Sequence, residues 1–168
     1  MSSFEKPQFP KLPDKLREDL STITPSADRE LTYWPCAARL KDGTVLDCVY
    51  VVHEVPYIKL WGVYPQQDRG KSYISVADVD GLADSPTRLP ARFANELYRS
   101  GESGMGYTIF TVAFADGFRQ AYLAGGAVDF IRYPEGKGPG DVASVFPHRG
   151  RNAEPIGNPP YYWCLFSS

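Results

Sequence analysis

Leu89-Pro90-Ala91-Arg92-Phe93-Ala94-Asn95-Glu96-Leu97-Tyr98-Arg99-Ser100-Gly101-Glu102-Ser103-Gly104-Met105-Gly106-Tyr107 reads as one short helix followed by a glycine-rich loop, with strand-like sequence on both sides. Pro90 suits a first helical turn, where its missing N–H has no intrahelical partner to lose. Phe93 and Leu97, with Ala94 and Tyr98 beside them, recur at four-residue spacing and make one apolar stripe. Arg92, Asn95, Glu96 and Arg99 fall on the other side, and Gly101 marks the end. A helix this short is stable only when packed on something, so the spacing predicts a helix laid on a sheet. The glycines of the loop allow a sharp turn between helix and strand, and the turn is the expected role.

Outward from this segment, the pattern changes to period two. Leu31 to Leu40 and Thr44 to His53 flank Lys41-Asp42-Gly43, a hairpin signal. With Gly43 left-handed and Leu40 opposite Thr44, Cys36 comes opposite Cys48 on an apolar face, while Arg39, Asp47 and His53 take the other face. Tyr107 to Phe114 and Phe118 to Ala124 flank Ala115-Asp116-Gly117 in the same way, at an offset of 74, and predict a second, similarly built corner. Further strands are expected at Tyr57 to Tyr64 after the break at Pro56, at Ser72 to Val76, and at Ala127 to Tyr133. A last short element is expected at Asp141 to Phe146. Tyr161 to Phe166 is too apolar to lie free and is expected as an edge strand or a plug of the core. At the other end, residues 1–12 read as an extended proline-containing arm. Leu12, Leu16 and Leu20 then give a helix from Pro13 to Leu20, opening one domain over 13–168.

The fold expected from these elements is α+β: a bent, mostly antiparallel sheet, as in an SH3-like or partly open barrel, with two short helices packed on it. The 168 residues are 43% hydrophobic and 23% charged, ordinary for a globular domain, and 14% aromatic, which suits a β-rich core. A net charge of −2 gives no electrostatic case for nucleic acid or an anionic membrane. No apolar run approaches the about 18 residues of a membrane span, and no secretory signal opens the chain, so a cytoplasmic location is expected. Three cysteines without a C-x-x-C pair favour reduced thiols, Cys36 and Cys48 included.

Gly101-Glu102-Ser103-Gly104 resembles the Gly-Asp-Ser-Gly signature of trypsin-like serine proteases, and His53 with Asp78 or Asp80 precedes Ser103 in that family's order. The resemblance implies Ser103 as nucleophile, His53 as base and Asp80 as its orienter, and so a small hydrolase as one alternative. Met105 stands where the family has glycine, Glu102 replaces its aspartate, and the surroundings of His53 lack its small residues and cysteine. Asp78-Val79-Asp80-Gly81 resembles part of a calcium loop, but Val76 and Thr87 then occupy the terminal ligand positions and exclude an EF-hand. Gly136-Lys137-Gly138-Pro139-Gly140 lacks the spacing and hydroxyl of a phosphate-binding loop. Two histidines 95 positions apart offer no metal-ligand spacing, and neither a metal nor a cofactor is expected. Pro147-His148-Arg149-Gly150-Arg151 is a small basic cluster in coil.

With no motif that forces a chemistry, the leading expectation is a non-enzymatic protein-interaction module, an inhibitor or immunity-like protein that neutralises a protein partner. A small-ligand carrier with a pocket lined by Tyr and Trp is the third reading. The expected contact residues are Arg92, Arg99, Met105 and Tyr107, because arginine and large apolar side chains concentrate binding energy at interfaces.

Overall fold

The computed structural model describes residues 6–148 and 154–168. Arg149 and Arg151 of the basic cluster lie outside the described residues. The chain is α+β, with mostly antiparallel strands and helices packed on sheet faces. The strands divide between two sheets, and neither closes into a barrel.

The first sheet carries β1 (Ser26–Asp28), β2 (Leu31–Leu40), β3 (Val45–His53), β10 (Tyr162–Phe166) and β4 (Ser72–Tyr73) in that order, with β5 (Val79–Ala83) beside β2. The second carries β8 (Val142–Pro147), β6 (Thr108–Phe114), β7 (Arg119–Ala124) and β9 (Ile156–Gly157). The helices are α1 (Asp14–Ser21), α2 (Glu54–Trp61) and α3 (Ala91–Ser100).

Both Asp-Gly hairpins form as the sequence predicts. Gly43 and Gly117 sit at φ 90° and 92°, and the flanking residues bond as Leu40 N–H to Thr44 O and Phe114 N–H to Phe118 O, each at 2.8 Å. Asp42 and Asp116 accept the N–H two residues on, at 2.9 and 3.0 Å, so the aspartate side chains lock the corners.

Beyond the first corner the expected register fails. Ala38 pairs with Leu46, but Cys36 pairs with Val49, so β3 carries one extra residue between them. A bulge turns every later side chain to the opposite face. Cys36, Val49 and Val51 therefore pack with Leu16, Leu20 and Val79 under α1, whereas Cys48, Tyr50 and Val52 face an aromatic core with Tyr33, Tyr57, Phe130 and Trp163. Cys36 and Cys48 end on opposite faces, and Cys36, Cys48 and Cys164 are buried free thiols. The first sheet is thus covered on both sides.

Three other expectations change. Tyr57 to Tyr64 is not a strand, because α2 begins directly after β3; Pro56 falls in its first turn, where it is tolerated, and left-handed Gly62 (φ 79°) ends it. The helix places Tyr57 and Trp61, four residues apart, against the aromatic core. Ala127 to Tyr133 is not a strand either, and only an isolated bridge, Arg88 with Phe130, pairs within it. The fourth strand shrinks to two residues. The C-terminal strand β10 plugs the core: it lies parallel between β3 and β4, with Trp163 at 1% exposure.

The central segment holds its predicted place. Helix α3 lays Phe93, Ala94 and Leu97 over β6, β7 and β8, against Phe110, Val112, Tyr122 and Val145. Each large side chain so buried contributes about 1.5–3 kcal/mol. Tyr98 packs against both this core and the aromatic core of the first sheet. Asn95 Oδ1 accepts the Ala27 N–H at 2.9 Å, which ties the same helix to β1.

Candidate functional site

A cleft of about 610 Å³ opens where the two sheets meet at the C-terminal end of α3. Leu97, Tyr98 and Arg99 supply one wall, and Leu60 and Trp61 at the end of α2 supply another. Asp28 at the end of β1 and Arg29 in the turn that follows form part of its border with Glu102 and Gly106 of the glycine-rich loop.

Several local features hold these walls. Asp28 pairs with Leu31, leaving a two-residue turn in which Arg29 takes φ 58°, a conformation that tight hairpins demand. Trp61 stacks on Tyr57 at an interplanar angle of 11° and donates its indole N–H to Tyr33 Oη at 3.0 Å. The Lys71 ammonium lies 4.1 Å from the centre of the Trp61 ring. A Cβ at Gly126 would stand 3.0 Å from the edge of that ring, so glycine there lets the indole lie against the backbone.

The glycine-rich loop is braced from within. Ser103 Oγ accepts the Ile109 N–H at 2.8 Å and donates to the Ile109 carbonyl at 3.1 Å. Glu102 Oε2 accepts the Gly106 N–H at 2.5 Å, and Ser103 N–H bonds to Tyr107 O at 3.0 Å. The Tyr107 ring lies over Gly104 so closely that a Cβ there would come within 2.4 Å of it. Met105 is held out at the tip, 101% exposed.

Behind the cleft sits Asp129, fully buried. Its carboxylate accepts hydrogen bonds from Ser26 Oγ at 2.7 Å and from the Tyr98 hydroxyl, while its N–H donates to Tyr50 Oη at 3.0 Å. Tyr98 Oη also accepts the Val128 N–H at 3.0 Å. The network joins β1, β3 and α3 to the segment around 129. Burial pushes the Asp129 carboxyl above its ordinary range, against the pull of the Tyr98 and Ser26 hydroxyls and the Arg88 charge. Burial, reinforced by Asp129, likewise holds the Tyr98 phenol well above its usual value. Asp28, half-buried, is also raised, first by desolvation, with Arg29 opposing and Glu102 adding to the shift.

The expected contact residues divide. Arg99 lines the cleft, and Met105 stands on the braced loop whose Glu102 and Gly106 border it. Tyr107 is half-buried and packs back on its own loop. Arg92 lies at the other end of α3, its guanidinium carbon 4.6 Å from the centre of the Phe93 ring.

The three residues of the protease resemblance are each engaged elsewhere. Ser103 Oγ is committed to Ile109; His53 Nε2 lies 2.8 Å from Ser168 Oγ, with its ring stacked on Phe166; and Asp80 pairs with Arg39 at 3.1 Å. No hydrogen bond joins any two of them among the described residues. Among those residues no group of three or more His, Cys, Asp or Glu is placed to hold a metal ion, and no helix is long and apolar enough to cross a membrane.

Sequence reasoning missed Asp28, Arg29, Trp61, Tyr98 in its second role, and Asp129. Trp61 was hidden by the misread strand, and the Arg29-Glu30 turn lacks the usual Asn-Gly or Asp-Gly signature. Asp129 left a usable signal, a lone acid inside the apolar run Ala127-Val128-Asp129-Phe130-Ile131. Comparison with family models, with curated proteins and with solved structures finds no match.

Proposed function

We propose that this chain acts by contact, as a non-enzymatic protein-binding module whose binding surface is the cleft and the braced loop beside it. One observation carries this reading: Met105 is 101% exposed on a loop whose backbone is bonded from within at Glu102, Ser103 and Gly104. A large apolar side chain presented to water gains by burial against a partner, and a preordered loop loses little entropy on binding. The adjoining cleft adds Trp61, Tyr98 and the Arg99 guanidinium, the residue types that anchor interfaces. With Asp28 and Glu102 opposite in charge to Arg29 and Arg99, the border offers paired polar contacts with no single-sign field. In this reading the chain masks or neutralises the protein it holds, in the manner of an immunity protein.

A photo-crosslinking residue placed at position 105 in cells of the source organism tests the reading, with the same residue at exposed Lys41 as control. One protein should be enriched at position 105 over position 41, and Arg99→Glu should reduce its capture. The activity of that protein should fall when the purified chain is added. Equal adducts at both positions would remove the surface. Capture without any effect on the partner's activity would remove the neutralising role and leave binding.

A further inference from the structure

A second concavity, of about 300 Å³, lies between β4, the start of β10 and Arg132. We propose that it is a binding site for the oxyanion head group of a small molecule, a phosphate or a carboxylate, gripped by Arg132 and Asn158 over an aromatic base. This goes beyond the protein-binding reading and does not depend on it.

The argument is one of unused donors. No acidic residue lines this pocket among the described residues. Lys71 on its border is already balanced by Asp68, 2.9 Å away. Arg132 is exposed and has no ion pair among the described residues, so its charge is the uncompensated one. The Ser72 hydroxyl and the Asn158 side-chain amide likewise have no hydrogen-bond partner among the described residues. At the base, Trp163 is 1% exposed and its buried indole Nε1 has no acceptor among the described residues. The Tyr161 hydroxyl beside it also lacks a partner among the described residues.

An oxyanion answers Arg132, Ser72 and Asn158 together: it accepts several hydrogen bonds and balances a guanidinium bidentately, and the Trp163 indole beneath it reports its arrival. The walls are stiff enough to keep the geometry. Pro159 and Pro160 have fixed φ, and Ser72 and Trp163 are held in paired strands. The volume sits at the lower end of the range for small-molecule sites, which suits a head group with a small attached body.

The test uses the three tryptophan indole N–H signals of the ¹⁵N-labelled chain, with Trp163→Phe to assign the third. Sodium phosphate and sodium acetate are titrated separately, at ionic strength held constant with chloride. The expected result is a saturable shift of the Trp163 indole while that of Trp34, outside the pocket, stays fixed. Arg132→Met, an exposed substitution that keeps the side-chain stem, should raise the apparent Kd at least tenfold. Saturation by phosphate alone identifies a phosphorylated ligand, and saturation by acetate alone a carboxylate. No saturable shift with either anion, a parallel shift of the Trp34 and Trp163 signals, or an unchanged Kd in Arg132→Met would overturn the proposal. Met105→Asp should leave the titration unaltered, which separates this site from the protein-binding surface.

Discussion

Tyr98→Phe should be far more damaging than the loss of one hydroxyl suggests. That hydroxyl donates to the buried Asp129 carboxylate and accepts the Val128 N–H at 3.0 Å. Without it, the carboxylate loses a hydrogen bond to a charge, worth about 1.5–3 kcal/mol, and a backbone N–H at a 2% exposed residue is orphaned at about 1–3 kcal/mol. The ring itself still fits, so the expected loss is about 3–5 kcal/mol where the carboxylate is charged, or on the order of 10 °C in Tm.

The loss should also depend on pH. The folded-state value of Asp129 is already raised by burial, so its protonated form favours the fold, and stability from this group falls as pH rises through that value. The Tyr98 bond is one of the forces lowering it, and removing the bond raises it further. Below both folded-state values the carboxyl is neutral in wild type and variant, and the charge-dependent part of the difference vanishes. Urea unfolding of both proteins across a pH series measures this, and the gap should narrow toward the about 1–3 kcal/mol of the orphaned N–H alone as pH falls. A gap below about 1 kcal/mol at every pH, or a gap that widens as pH falls, would refute the role given to the Asp129 network.

Other expectations follow from the same geometry. Ser103→Ala removes both bonds to fully buried Ile109 and should cost about 1–3 kcal/mol in urea unfolding; an unchanged midpoint would show that the hydroxyl is not a brace. Gly101 sits at φ 82° and ψ 178° with open space around it, so Gly101→Ala should cost about 1–3 kcal/mol from backbone strain alone, read as a fall in Tm. Burial pushes the Cys164 thiol up to about 12 and holds Cys36 and Cys48 above their ordinary value as well. A thiol-reactive chromogen should therefore label none of the three in the native protein at pH 8 and all three in denaturant; fast native labelling of any would contradict its burial. Leu97→Ala, at a 1% exposed site under α3, should cost about 2–5 kcal/mol, and a smaller loss would mean that the second core closes over the gap.

Several readings that rested on neighbours in sequence survived folding. Helix α3, helix α1, both Asp-Gly corners and the strands beside them are written in local spacing, because a 3.6- or 2-residue period and a left-handed glycine act within a few residues. The braced loop belongs here too, since Gly101 ends the helix and the following glycines permit the turn that Ser103 locks.

Tertiary contacts decided the rest. The run Val55-Pro56-Tyr57-Ile58-Lys59-Leu60-Trp61 has apolar residues enough for a strand or a helix, and the aromatic core, by accepting Tyr57 and Trp61 from one side, selected the helix. The bulge in β3 came from the need to bury both faces of the first sheet, a demand that no single hairpin registers. The cleft itself is assembled from residues 28, 61, 98 and 102, which share no local pattern. Asp129 looked like a lone acid in an apolar run until Ser26, Tyr50 and Tyr98 were brought around it from elsewhere in the chain. Sequence alone determines what each segment tends to do by itself; which buried groups must satisfy one another emerges only when distant segments exclude water together.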